Sequence, residues 1–219
     1  MRVRAVSLLA GLSAAVAMTA CGGGGDEEDD GVRLPEGCEQ VEQPAPKDLE
    51  LKRPARLQPP PGGTVAVVET SCGSFEIELA TSGSPRTTAS FAHLVQEGAY
   101  DDTAFHRIVP DFVIQGGDPR GDGTGGPGYF VDEKPAPNTQ YTRRTVAMAK
   151  TEVDPPGRSG SQFFVVVAAD AGLPADFAVL GEVSSGFDVV ERIAETGDPA
   201  TGQTGTPLAP VLIERVRLG

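Results

Sequence analysis

The chain predicts a mainly β domain, an antiparallel barrel or sandwich carrying two helices, and three features of the sequence lead to that expectation. Seven or eight short apolar segments recur through residues 63–219, separated by clusters of turn-forming residues. Only two segments repeat their apolar residues at helical spacing. About 160 residues are enough to enclose one core.

In chain order, the β-branched run Thr64-Val65-Ala66-Val67-Val68-Glu69-Thr70 reads as a first strand that turns at Ser71-Cys72-Gly73. Phe75, Ile77 and Leu79 then alternate with Glu76 and Glu78, which predicts a strand with one buried face and one in water. Ser84-Pro85 supplies a helix cap followed by proline at the first helical position, Phe91, Leu94 and Val95 recur at helical spacing, and Gly98 stops the helix. His93 falls at the boundary of that apolar face. Phe105 to Asp118 alternates as two short strands joined by a turn at Pro110-Asp111, with Gly116-Gly117 ending the second. The glycine-dense stretch from Gly121 to Gly128 lacks the Lys-Ser/Thr pair of a nucleotide loop and opens no helix, so it reads as an irregular connection. Further strands are expected at Thr145–Ala149, Gln162–Val167 and Phe177–Val183, a second helix carries Phe187, Val190, Ile193 and Ala194 before Gly197, and Val211 to Leu218 closes the domain.

The first 62 residues differ. A basic head, Met1-Arg2-Val3-Arg4, precedes a small-residue apolar run too short to span a bilayer, which predicts a secretory leader over residues 1–20. Met18-Thr19-Ala20-Cys21 resembles a bacterial lipobox, so Cys21 is expected to become the lipidated first residue. Residues 21–62 hold glycines, the acidic run Asp26 to Asp30 and many prolines, a composition expected to form a flexible tether rather than a core. Removing the leader takes Arg2 and Arg4 and moves the formal charge from −13 to about −15. So acidic a chain opposes nucleic acid and anionic lipid surfaces, and membrane attachment is expected through the lipid instead. The expected location is extracytoplasmic, at a cell surface or periplasmic face. There Cys38 and Cys72 either pair or stay as two free thiols. The cysteines and two histidines lack the paired spacing of a metal site.

Arg107 is the candidate functional residue. A guanidinium keeps its charge, and here it stands among Phe105, Phe112 and Val113, either snorkelling from a half-buried strand or held there for use. The segment around it, Phe105-His106-Arg107-Ile108-Val109-Pro110-Asp111-Phe112-Val113-Ile114-Gln115-Gly116-Gly117-Asp118, resembles the cyclophilin signature. Ser159-Gly160-Ser161-Gln162-Phe163-Phe164 and Leu173 to Gly181 are similar to later motifs of that family, in the same order, with Thr124-Gly125-Gly126 and Met148-Ala149 between.

The resemblance implies a closed eight-stranded antiparallel barrel capped by two helices over residues 63–219. It also implies cis/trans isomerisation of the peptide bond before proline, without cofactor or metal. Arg107, Gln115 and Phe112 then match catalytic positions, Val113, Phe164 and Leu173 a proline pocket. Phe177 takes the place of a pocket histidine, while Ala149, Lys150 and Gln162 fall where the residues preceding proline bind. The implied partners are proline-containing segments of secreted or cell-envelope proteins, met by a monomer. A tethered proline-peptide-binding module or holdase is the alternative. Three positions depart from the eukaryotic pattern: Lys150 replaces an asparagine, Phe177 the histidine, and Gly172 a tryptophan, which implies weak cyclosporin binding.

Overall fold

Alternation of buried and exposed side chains sets the first hairpin of the computed structural model, which describes residues 32–219. Strand β1 (Val65–Thr70) buries Ala66 and Val68 and pairs antiparallel with β2 (Gly73–Leu79), which buries Phe75, Ile77 and Leu79. The expected leader, Cys21 and the acidic run lie outside the described residues.

Nine strands form one curled sheet. After the first hairpin come β3 (Thr103–Ala104), β4 (Arg107–Val109), β5 (Val113–Gly116), β6 (Val131–Asp132), β7 (Thr145–Met148), β8 (Arg158–Ser159), β9 (Phe163–Val166), β10 (Val179–Ser185) and β11 (Leu212–Leu218). The sheet order is β3-β11-β1-β2-β10-β7-β9-β5-β4, all antiparallel, with β6 and β8 paired separately. The expectation of a closed eight-stranded barrel is therefore corrected to an open, curled nine-stranded sheet. Its edges, β3 and β4, are consecutive in the chain, two and three residues long, and pair with β11 and β5 but not with each other. A single bridge from Ala104 to Asp118 spans the seam.

The strands present two apolar faces, which is why the run Phe163-Phe164-Val165-Val166 is apolar throughout. Ile108, Ile114, Val146, Phe163 and Val165 point into the main core with Phe75, Phe91 and Leu94. Val113, Ala147, Phe164 and Val166 point the other way and form a smaller cluster with Tyr141.

Helix α1 (Pro85–Gln96) buries Phe91 and Leu94, and Gly98 follows at φ 66°, as the spacing predicted. Its cap differs. The Ser84 side chain makes no capping bond; instead the Glu133 carboxylate accepts from the backbone N–H groups of Arg86 (3.1 Å) and Thr87 (2.7 Å). Helix α2 (Phe187–Ala194) buries Phe187, Val190, Ile193 and Ala194.

Residues 32–62 contain no helix or strand, yet they do not behave as the expected flexible spacer. Cys38 is disulfide-bonded to Cys72, and the Glu39 N–H donates to the Ser71 carbonyl. The Lys47 N–H donates to Pro119 O, the Leu51 N–H to Pro127 O, and Lys47 Nζ to Asp101 O. Cys38, Leu49 and Leu51 pack against the main core. Cys38, Val41, Pro44 and Lys47 are turned inward, as are Leu51, Pro54, Leu57 and Pro60. That period of three is the spacing of a polyproline-II ribbon, so the prolines that argued against a core shape a strap that lies on one.

Candidate active site

Register across the sheet assembles the site. Arg107 on β4 lies opposite Gln115 on β5, Gln115 opposite Phe164 on β9, and Phe164 opposite Ala147 on β7. Four residues from distant parts of the chain thus share one row on the outer apolar face.

Arg107 is half-buried and held from two sides. Its Nε donates to Gln203 O at 3.1 Å and Nη1 lies 3.4 Å from Gln115 Oε1, while Nη2 has no partner among the described residues. The Phe112 ring centroid is 5.8 Å from Cζ. Burial lowers the Arg107 pKa from its ordinary value, but a guanidinium stays protonated at physiological pH. Gln115 Nε2 donates to Gln162 Oε1 at 3.1 Å, and Gln162 Nε2 donates to the carbonyls of Gly123 (3.0 Å) and Gly125 (2.9 Å). A chain of amides therefore fixes the guanidinium relative to the glycine-rich loop.

That loop is organised by Asp118, fully buried, whose carboxylate accepts from the N–H groups of Arg120, Asp122 and Gly123. His106, 3.5 Å from Gln115 Nε2, has its pKa lowered, chiefly by burial, with Asp118 acting in the opposite direction. It is neutral at pH 7.

Beside Arg107, Phe112, Val113, Phe164, Leu173 and Phe177 form an apolar patch on the smaller cluster. Phe164 and Phe177 meet edge-to-face at 5.5 Å, and Lys150 Nζ lies 5.5 Å from the Phe177 centroid. Tyr141, which sequence reading missed, fixes that wall: its hydroxyl donates to Phe177 O (2.6 Å) and accepts from Phe177 N–H (2.9 Å). Standing alone among polar neighbours, it carries no periodic signal in the sequence. Next to the patch opens a cleft of about 810 Å³, lined in part by Gln115, Ala149, Lys150 and Gln162. The ten residues singled out from the sequence, Arg107, Phe112, Val113, Gln115, Ala149, Lys150, Gln162, Phe164, Leu173 and Phe177, fall in this patch, the adjoining cleft or the Arg107–Gln115 contact, with Val113 and Phe164 buried. Among the described residues, no group of three or more His, Cys, Asp or Glu could hold a metal ion.

Residues 65–218 match the family model of the cyclophilin type peptidyl-prolyl cis-trans isomerase. A peptidyl-prolyl cis-trans isomerase B of Streptomyces anulatus is 38% identical over 169 residues, covering 69% of this chain and 94% of its own length. A peptidyl-prolyl cis-trans isomerase-like 1 of Gibberella zeae is 37% identical over 159 residues, 71% and 94%. A probable isomerase B of Mycobacterium leprae is 35% identical over 190 residues, covering 80% of this chain and 63% of its own length. Among solved structures, a Cryptosporidium parvum cyclophilin type isomerase crystallised in the presence of the dipeptide Ala-Pro superposes with TM-score 0.64. It is 28% identical and covers 71% of this chain and 98% of that one.

Proposed function

Because this chain belongs to the cyclophilin-type peptidyl-prolyl cis-trans isomerase family and is an isomerase of that type, we propose that Arg107 drives its turnover by stabilising the twisted prolyl amide. Amide resonance sets a barrier of about 18–20 kcal/mol, and twisting the C–N bond removes that resonance. The proline nitrogen then becomes pyramidal and regains a lone pair. A donor aimed at it binds the transition state better than the planar ground state. The observation that carries this reading is the held guanidinium beside an apolar patch, with Nη2 left over to donate. Phe112, Val113, Phe164 and Leu173 grip the proline ring, and Phe177 extends that wall. Gln115 keeps the guanidinium in register, and Gln162 with the backbone of Ala149 and Lys150 holds the residues before proline. No proton is transferred and no covalent bond is broken.

The same proposal places the enzyme outside the cytoplasm, attached through Cys21 and acting on proline-containing segments of secreted or cell-envelope proteins. The leader composition of residues 1–20 and the Cys38–Cys72 pair support it, since disulfides persist in oxidising compartments. The experiment is isomerisation of a proline peptide, by protease coupling or NMR exchange, with wild type and Arg107→Ala. Loss of about 10²–10³ in kcat/KM with an unchanged fold is expected. An undiminished rate overturns the assignment, and full support of the cell by a variant without turnover favours a binding module.

A further inference from the structure

Residues 47–50 of the strap lie in the site. Lys47, Asp48, Leu49 and Glu50 line the cleft that also holds Gln115, Ala149, Lys150 and Gln162. The strap is built onto the cleft loop at several points: Leu51 N–H donates to Pro127 O, Asp48 pairs with Arg120 at 3.1 Å, and a side chain at Gly128 (φ 89°) would meet the Glu50 Cα at 3.0 Å. This wall lies outside the span of the family model. The Mycobacterium leprae relative nonetheless matches 80% of this chain. Because only Gly219 follows the family span, that wider coverage reaches into the segment before Val65.

The charges of the cleft decide what this wall selects. Lys150 donates to the carbonyls of Thr151 and Asp154, and Arg158 pairs with Asp132 and Asp154. Arg120 is matched by Asp48, and Lys47 is directed to Asp101 O. Lys47 and Lys150, held by backbone carbonyls, make no ion pair among the described residues, and Glu50, exposed, is the one carboxylate lining the cleft that makes none. We propose that strap residues 48–50 are a specificity wall of the isomerase, with Glu50 favouring substrates that carry Lys or Arg shortly before the proline. The assignment rests on Arg107 and its patch being the seat of the prolyl bond, which puts the preceding residues in this cleft.

The test uses peptides sharing Ala-Pro and carrying Lys, Gln or Glu at each of three positions before it, read by turnover and by NMR titration. Wild type should prefer Lys over Glu at one position by about threefold, the value of one exposed ion pair. Glu50→Gln should remove the preference, Glu50→Lys should invert it, and Glu39→Gln, outside the cleft, should leave it intact. Added salt should shrink it. Substitution at an exposed position leaves the core untouched, and titration tests the wall even for a chain that binds without turnover. Normal turnover with no charge preference, or the same preference in Glu50→Lys, overturns the wall alone. Retained turnover in Arg107→Ala counts against the Arg107 reading instead.

Discussion

Gln115 stands between Arg107 and Gln162, so truncating it should loosen the guanidinium without emptying the proline patch. Gln115→Ala is expected to lower kcat/KM about tenfold, the equivalent of one hydrogen bond, with circular dichroism unchanged. A second expectation concerns His106, whose folded pKa lies below its ordinary value because burial disfavours the charge. Its neutral form is the one the fold prefers. The stability it contributes is therefore fully present above about pH 6.5 and is lost as pH falls through the lowered folded pKa. Urea midpoints at pH 7.5 and 5 should differ more for wild type than for His106→Asn; equal differences would exclude His106 as the source. Arg107 was legible in the sequence as a lone cation in an alternating apolar run, and Gln115 only through the order of the family motifs. Tyr141 was not, since its use is to hold a backbone 36 residues away.

At the scale of elements, the two helices and most strands follow from apolar spacing, because each buries the face its sequence predicts. Caps follow less well. Helix α1 opens on Ser84-Pro85, but the carboxylate that satisfies its first N–H groups comes from Glu133, after β6, and local sequence carries no sign of that. Glu133→Ala should cost about 1–2 kcal/mol in denaturant unfolding, whereas Ser84→Ala should cost less than half as much; the reverse order would contradict the geometry. The closed barrel failed at one seam. Strands β3 and β4 each pair on one side only, and no periodicity announces where pairing stops.

For the whole molecule, the misread part was the strap, taken for a spacer because proline and charge dominate it. Its three-residue period was present in the sequence, but that signal belongs to polyproline II rather than to the helix and strand periods sought. The Cys38–Cys72 pair closes a separation of 34 residues, worth about 3–4 kcal/mol by chain entropy. Reduction should lower the urea midpoint accordingly and make the strap susceptible to trypsin at Lys47, Lys52 and Arg56; an unchanged digestion pattern would show that the strap holds without the disulfide. The seam of the sheet has a wider consequence. Lys47 is stitched to Asp101 on one side of the seam and Pro119 on the other, while Ile108 on β4 donates to Gly205 after the 3₁₀ segment Pro199–Thr204. With Ile108 on the β4 edge already bonded and the β3 edge only two residues long, the sheet offers little main-chain ladder for an extended peptide to join. On the proposed reading a substrate is met only by the groups around one prolyl bond and the few residues before it, and a grip that short releases its product readily.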